Sequence, residues 1–229
     1  MADERRGVLA YFLQTGFFLA VYAVCLFAAA GHWDWQAGWI LLGINATGQI
    51  ISILILWRVN PSLLGDRASL RGKRDLDRVL AGVMALFGPA AVFIVAGLDL
   101  RWGWTGRIPH LLQIAGIAVV ATGSLITVWA MAVNRFFYGV IRIAGDKGHT
   151  TCDRGPYRFV RHPGYLGAVL FDLGTPLLLN SVWAFLPAVA TVIAIVARTG
   201  MEEKKLSAGL EGYREYAGHV RFRLLPLVW

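Results

Sequence analysis

Apolar residues follow one another for membrane-spanning lengths along this chain, and each run gives way to a short break bearing charges, glycine or tryptophan. The runs fall at 8–30, 36–57, 79–98, 110–133, 164–180 and 182–198, each near the ~17–25 residues that a helix needs to cross a bilayer. They are apolar all round and carry no alternation of period two, so they predict buried or lipid-facing helices and no strands. Six spans are expected, the last two joined by a very short turn at Asn180-Ser181. The fold class is therefore all-α, a polytopic membrane helical bundle with a C-terminal helical hairpin, in one integral membrane domain over 1–229. The first run, from Gly7 to Ala30, is too long for a signal-peptide core. Ala28-Ala29-Ala30 mimics a cleavage site, but cutting there leaves an odd number of spans, so the run is kept as a helix.

Composition agrees with this pattern. The chain is 57% hydrophobic and 16% charged, with mean hydropathy +0.57, too apolar for a wetted soluble domain. The net charge of +8 raises the question of nucleic-acid binding, but the positions of the basic residues answer it. With six alternating spans, Arg5 and Arg6, the group from Arg58 to Arg78, the group from Arg135 to Arg161 and the group from Arg198 to Arg223 all fall on one side. Arg101 and Arg107 fall on the other. The positive-inside rule then places both termini and the long basic loop in the cytoplasm, and no nucleic-acid partner is expected. The host membrane is the inner or plasma membrane of a prokaryote or the endoplasmic reticulum of a eukaryote. Cys25 lies in a span and Cys152 in the loop, so no disulfide is expected.

Residues 1–134 read as a four-helix scaffold. Gly43, Gly48, Gly82, Gly88, Gly116 and Gly123 allow close helix packing, and Asn45 and Gln49 read as interhelical hydrogen-bonding glue. Tryptophans near the span ends fit an interfacial belt. The segment from Asn60 to Arg67 breaks at Pro61 and is expected to lie along the interface.

From Asn134 onward the chain differs in kind. A connection of about thirty residues in a protein with short loops points to function. It holds His149-Thr150-Thr151-Cys152, then Gly155-Pro156-Tyr157, then Arg161-His162-Pro163-Gly164-Tyr165-Leu166-Gly167. After the hairpin come Glu202-Glu203 with Leu206, then Tyr213-Arg214-Glu215-Tyr216 ahead of Val220 and Pro226. This ordered set, over about the last 95 residues, resembles the isoprenylcysteine carboxyl methyltransferase family and the related phospholipid methyltransferases. In the stretch ahead of His149, where many relatives carry Gln, this chain reads Arg142-Ile143-Ala144-Gly145-Asp146.

The resemblance implies a membrane methyltransferase core over 135–229 that uses S-adenosylmethionine. His149, Thr150, Thr151, Cys152, Tyr157, His162, Pro163, Gly164 and Tyr165 are implied to line its cofactor pocket. Their chemistry suits that molecule: tyrosine faces for a cation or an adenine, histidine as donor and acceptor, arginine for a carboxylate. The resemblance also implies that Arg198 and Glu202, at i and i+4, address the acceptor, with Arg198 positioning an acidic group and Glu202 orienting Arg198 or the acceptor. Glu203 is the alternative if the register is off by one. Plainer readings stand beside these. His162 can anchor a helix start, Arg158 and Arg161 can serve topology alone, and Arg198–Glu202 can be a helix-surface ion pair.

Asp172, the only carboxylate in the fifth run, reads as a functional acid or as a partner of Asn134 or Arg135. His149 and His162 lack the companions of a metal shell, so no metal is expected. Carboxyl O-methylation of a lipophilic or lipidated acceptor at the bilayer is the favoured activity. The alternatives are amine N-methylation of a phospholipid, thiol S-methylation, and a non-catalytic transporter or assembly factor.

Overall fold

A computed structural model of the chain describes residues 2–59, 63–65, 76–145, 148–226 and 228–229. Four long helices come first: α1 (Ala2–Ala30), α2 (Gln36–Val59), α3 (Leu76–Trp102) and α4 (His110–Val133). The long loop follows, with a single 3-10 turn at Gly155–Arg158. The chain ends with α5 (Pro163–Leu178), α6 (Phe185–Gly209) and the short α7 (Tyr213–His219). No strand occurs among the described residues, and the protein is a helical membrane bundle.

Among the described residues, five helices are long and apolar enough to cross a membrane. The sixth expected span is α5, which has only 16 residues, roughly 24 Å at 1.5 Å per residue. Pro163 fixes its start, where a missing N–H costs nothing. Asn180, at φ 58°, turns the chain back directly beyond its end. α5 packs lengthwise against α4, from Gly164 beside Thr127 to Leu178 beside Gly116. Glycines permit that approach: a Cβ on Gly116 would lie 2.5 Å from the Leu178 nitrogen, and one on Gly123 would lie 2.5 Å from the Gly167 carbonyl oxygen.

Neighbour relations close the helices into a ring in the order α1, α2, α4, α5, α6, α3. At the end away from the loop, Asp99 accepts hydrogen bonds from the Thr105 backbone, the Thr105 hydroxyl and the Ser181 hydroxyl at 2.6, 2.6 and 2.5 Å. Asn180 accepts from the Ile108 N–H at 2.8 Å. The α3–α4 connection and the α5–α6 turn are thereby latched together. An apolar plug including Leu26, Phe27, Phe93, Val120 and Leu178 fills this half of the ring.

The turn after α2 differs from expectation where it is described. Leu63 and Leu64 do not lie along an interface; they are fully buried against Tyr11, Leu56 and Met131. Two adjacent leucines gain more inside the bundle than at its polar edge. The rest of the Asn60–Arg67 expectation lies outside the described residues. Cys25 and Cys152 are free thiols.

Candidate functional site

The loop half of the ring encloses a cavity of about 1190 Å³, above the ~300–1,000 Å³ usual for one small-molecule ligand. Its outer part is made by the loop and the C-terminal segment. His149 is half-buried, stacked on Phe136 at 4.4 Å between ring centroids, and its Nδ1 accepts the Ala144 N–H at 3.3 Å. Burial holds the His149 imidazole below its ordinary pKa, Glu202 acts against that, and Arg142 adds to it. Thr151 donates to the Glu211 carbonyl at 3.1 Å, and the Cys152 thiol lies 3.7 Å from the Val133 carbonyl. Burial pushes the Cys152 pKa up.

Tyr157 is set by the 3-10 turn. Gly155 starts that turn at φ 56°, and a Cβ there would come within 3.1 Å of Trp129 Nε1, so glycine answers both demands. The Tyr157 hydroxyl accepts from Asn134 Nδ2 at 3.0 Å, and its carbonyl accepts from the Tyr216 hydroxyl at 2.7 Å. Burial, only partly offset by the Asn134 bond, raises the Tyr157 pKa well above the ordinary phenol value.

The two adjacent glutamates on α6 have different surroundings. Glu203 is buried under a bidentate Arg161 (Nε to Oε1 2.9 Å, Nη2 to Oε2 2.8 Å), His162 Nε2 at 2.8 Å, the Tyr213 hydroxyl at 2.5 Å and Arg223 Nε at 3.4 Å. Arg161 also donates to the Val220 and Arg221 carbonyls at 2.7 and 2.9 Å. Burial works against the Arg161 charge, yet Glu203 holds its pKa above the ordinary value. The glutamate that clamps α6 to the loop and the tail is therefore Glu203. Glu202, one residue earlier, is half-buried and lines the cavity, with Oε2 3.9 Å from His162 Nδ1.

Arg198 lines the cavity at its junction with the bundle, but it does not pair with Glu202. Its Nε donates to Asp77 Oδ1 and its Nη2 to the Gly139 carbonyl, both at 2.8 Å, while Asp77 Oδ2 accepts the Ile141 N–H at 2.8 Å. Arg198 is 5% exposed and Asp77 7%. The guanidinium carbon sits 5.6 Å over the Tyr165 ring, and that ring stacks on His162 at 5.7 Å.

His149, Thr150, Thr151, Cys152, Tyr157, His162, Gly164, Tyr165, Arg198 and Glu202 all line this one cavity. Pro163 does not; its ring starts α5 and is buried there. Arg158 is exposed at the surface, and Arg161 is bound to Glu203. Asp77 was not singled out from sequence: in a run of charged residues nothing distinguishes it from its neighbours Asp75 and Arg78. Asp172 is not a partner of Asn134 or Arg135; it faces the cavity. Asn45 and Gln49 also line the cavity, with no hydrogen-bond partner among the described residues. No group of metal-ligating side chains occurs among the described residues.

Comparison with known proteins points to the same half of the chain. Residues 111–210 match the family described as "Phospholipid methyltransferase", a stretch that begins with α4, ahead of the motifs, and ends before Tyr213. The chain is also similar to "Protein-S-isoprenylcysteine O-methyltransferase A" of Arabidopsis thaliana, 30% identical over 132 residues, 56% of this chain and 63% of that protein. A "Probable protein-S-isoprenylcysteine O-methyltransferase" of Oryza sativa subsp. indica is 37% identical over 65 residues, 28% of this chain and 34% of that protein. The matches thus span less than two thirds of these curated relatives. The chain is thus similar, over part of its length, to proteins described as phospholipid and isoprenylcysteine methyltransferases.

Proposed function

We propose that this protein is an S-adenosylmethionine-dependent methyltransferase acting at the membrane interface on a lipophilic acceptor, with carboxyl O-methylation as its favoured reaction. One observation carries the reading: a single cavity joins an aromatic, histidine-bearing loop pocket to the inside of the helix ring, with Arg198 at the junction.

The donor set fits the cofactor. His149, Thr150, Thr151, Cys152, Tyr157, His162, Gly164 and Tyr165 are the residues that would hold it. Glu202, expected from sequence beside the acceptor, lies 3.9 Å from His162 and not on Arg198; it and the tyrosine faces supply the negative potential that a sulfonium needs, and the aromatic surfaces suit an adenine. When bound, the cofactor supplies an activated methyl group. The chain's own residues then have mainly to align. Glu203 fixes His162, which with Arg198 brackets Tyr165, and Asp77 fixes the Arg198 fork. An acidic acceptor reaching Arg198 from the ring is held in register and stripped of water. Alignment of this kind contributes ~7–11 kcal/mol. Arg198 here positions the acceptor; no proton transfer is required of it when the acceptor is already an anion.

Two measurements test the reading. Calorimetry on the purified protein should show binding of S-adenosylmethionine. Membrane extracts incubated with methyl-labelled cofactor should then yield lipid-phase label that alkali releases as volatile methanol, as a methyl ester does. Alkali-stable label would move the reading to amine N-methylation or thiol S-methylation, the first being what the phospholipid methyltransferase match at residues 111–210 suggests. No cofactor binding by well-folded protein would sink it.

A further inference from the structure

The cavity does not end at Arg198. On α5, Tyr165, Ala168 and Asp172 succeed one another at i, i+3 and i+7 on its wall, and Asp172 lies seven residues deeper than Tyr165, roughly 10 Å at 1.5 Å per residue. Asp172 is 6% exposed and has no hydrogen-bond or ion-pair partner among the described residues. Pro176, four residues on, also has no N–H to offer the Asp172 carbonyl. Facing the same space are Gln14 of α1 and Asn45 and Gln49 of α2, likewise without hydrogen-bond partners among the described residues, and Ser124 of α4. At this level the wall of α3 is a π-helical turn, Val83–Phe87, whose Ala85 carbonyl accepts the Tyr22 hydroxyl.

A plain hydrocarbon chain is a poor occupant for such a chamber. It would strip water from a carboxyl group and three side-chain amides and return no hydrogen bond. We propose that this chamber is a specificity site for the membrane-embedded part of the acceptor, taking a lipid whose chain or ring carries a hydroxyl or amide that donates to Asp172. The inference rests on the methyltransferase reading above. It narrows that reading from any lipophilic acceptor to one with a polar group about two helical turns beyond its methyl-accepting end, which a plain prenyl chain lacks.

Matched probes test it. Stearate and its mid-chain hydroxyl derivative share a carboxylate for the Arg198 junction and differ in one donor. Native mass spectrometry of the full chain in detergent, incubated with an equimolar mixture, reads their relative occupancy. Wild type should favour the hydroxylated acid at least tenfold. Asp172→Leu should abolish the preference, while Asp172→Asn, which keeps an acceptor oxygen and nearly the same shape, should reduce it only in part. Cofactor affinity, measured on the same preparations, should be unchanged in both variants. Equal occupancy in wild type, or a preference that survives Asp172→Leu, overturns the proposal. Absence of cofactor binding alongside an intact preference would instead overturn the methyltransferase reading and leave the chamber as a lipid site.

Discussion

Glu202 and Glu203 show how much one residue of register decides. Glu203 neutralises Arg161 and reaches Arg223, His162 and Tyr213 in a buried cluster, so Glu203→Ala strands a buried guanidinium and should cost ~3–5 kcal/mol of stability. Glu202→Gln should leave the unfolding temperature within a degree or two of wild type yet weaken cofactor binding at least tenfold, since only Glu202 faces the cavity. Thermal unfolding and calorimetry on both variants check this, and a reversed pattern would exchange the roles of the two residues. His149 adds a pH signature. Its folded pKa is depressed, chiefly by burial, so the unfolded chain takes up the proton more readily. The penalty is absent above the unfolded value near ~6.5, grows as pH falls through it, and levels off below the folded value. A His149→Gln variant should lose that component, and unfolding temperatures of the two proteins across the acid range should converge as pH falls.

At the scale of elements, α4 and α5 behave as one unit because backbone meets backbone at Gly116, Gly123 and Gly167. Gly123→Ala places a methyl group against the Gly167 carbonyl, which cannot swing aside, and should destabilise by ~1–3 kcal/mol. Gly43→Ala, on α2 where an added Cβ meets nothing within 4 Å, should be neutral or stabilise by about 0.5–1 kcal/mol. Unfolding of both variants in one detergent compares them directly. If Gly123→Ala unfolds like wild type, the ridge is looser than its geometry states. The shift would also tilt α5, so cofactor binding at His162 and Tyr165 should weaken in Gly123→Ala and not in Gly43→Ala.

For the whole molecule, the ring has two chemically distinct ends. One carries the loop, the cavity mouth and most of the basic residues; the other carries the Asp99 latch with Arg101 and Arg107. By the positive-inside rule the first end is expected to face the cytoplasm. Single cysteines at exposed Glu211 and exposed Trp104, with Cys25 and Cys152 replaced by serine, should divide accordingly. A membrane-impermeant maleimide added to intact cells should label position 104 readily and position 211 only after permeabilisation. Labelling of position 211 in intact cells would invert the topology and place the cofactor pocket on the wrong side for a cytosolic donor.

The sequence by itself determined the helices, their approximate number and the loop segment that lines the cavity, because each rests on local properties. A run of apolar residues is a helix in a bilayer wherever it packs, and the stretch from His149 to Tyr165 keeps its order in any fold. It named ten of the residues that line the cavity, together with Pro163, which instead starts α5. Tertiary structure alone decided what depends on long-range partners. Arg198 meets Asp77 across 121 positions of chain, and no spacing rule selects Asp77 from a run of charges. The division of labour between Glu202 and Glu203 follows from a rotation of about 100° along α6, fixed only when Arg161, His162 and Tyr213 gather on one side of that helix. Asn45 and Gln49 read from sequence as interhelical glue, and Asp172 as a functional acid or a partner of Asn134 or Arg135. They became the wall of a chamber because the closed ring of six helices leaves a space in its loop half, and the shape of that space exists only once every helix is in place.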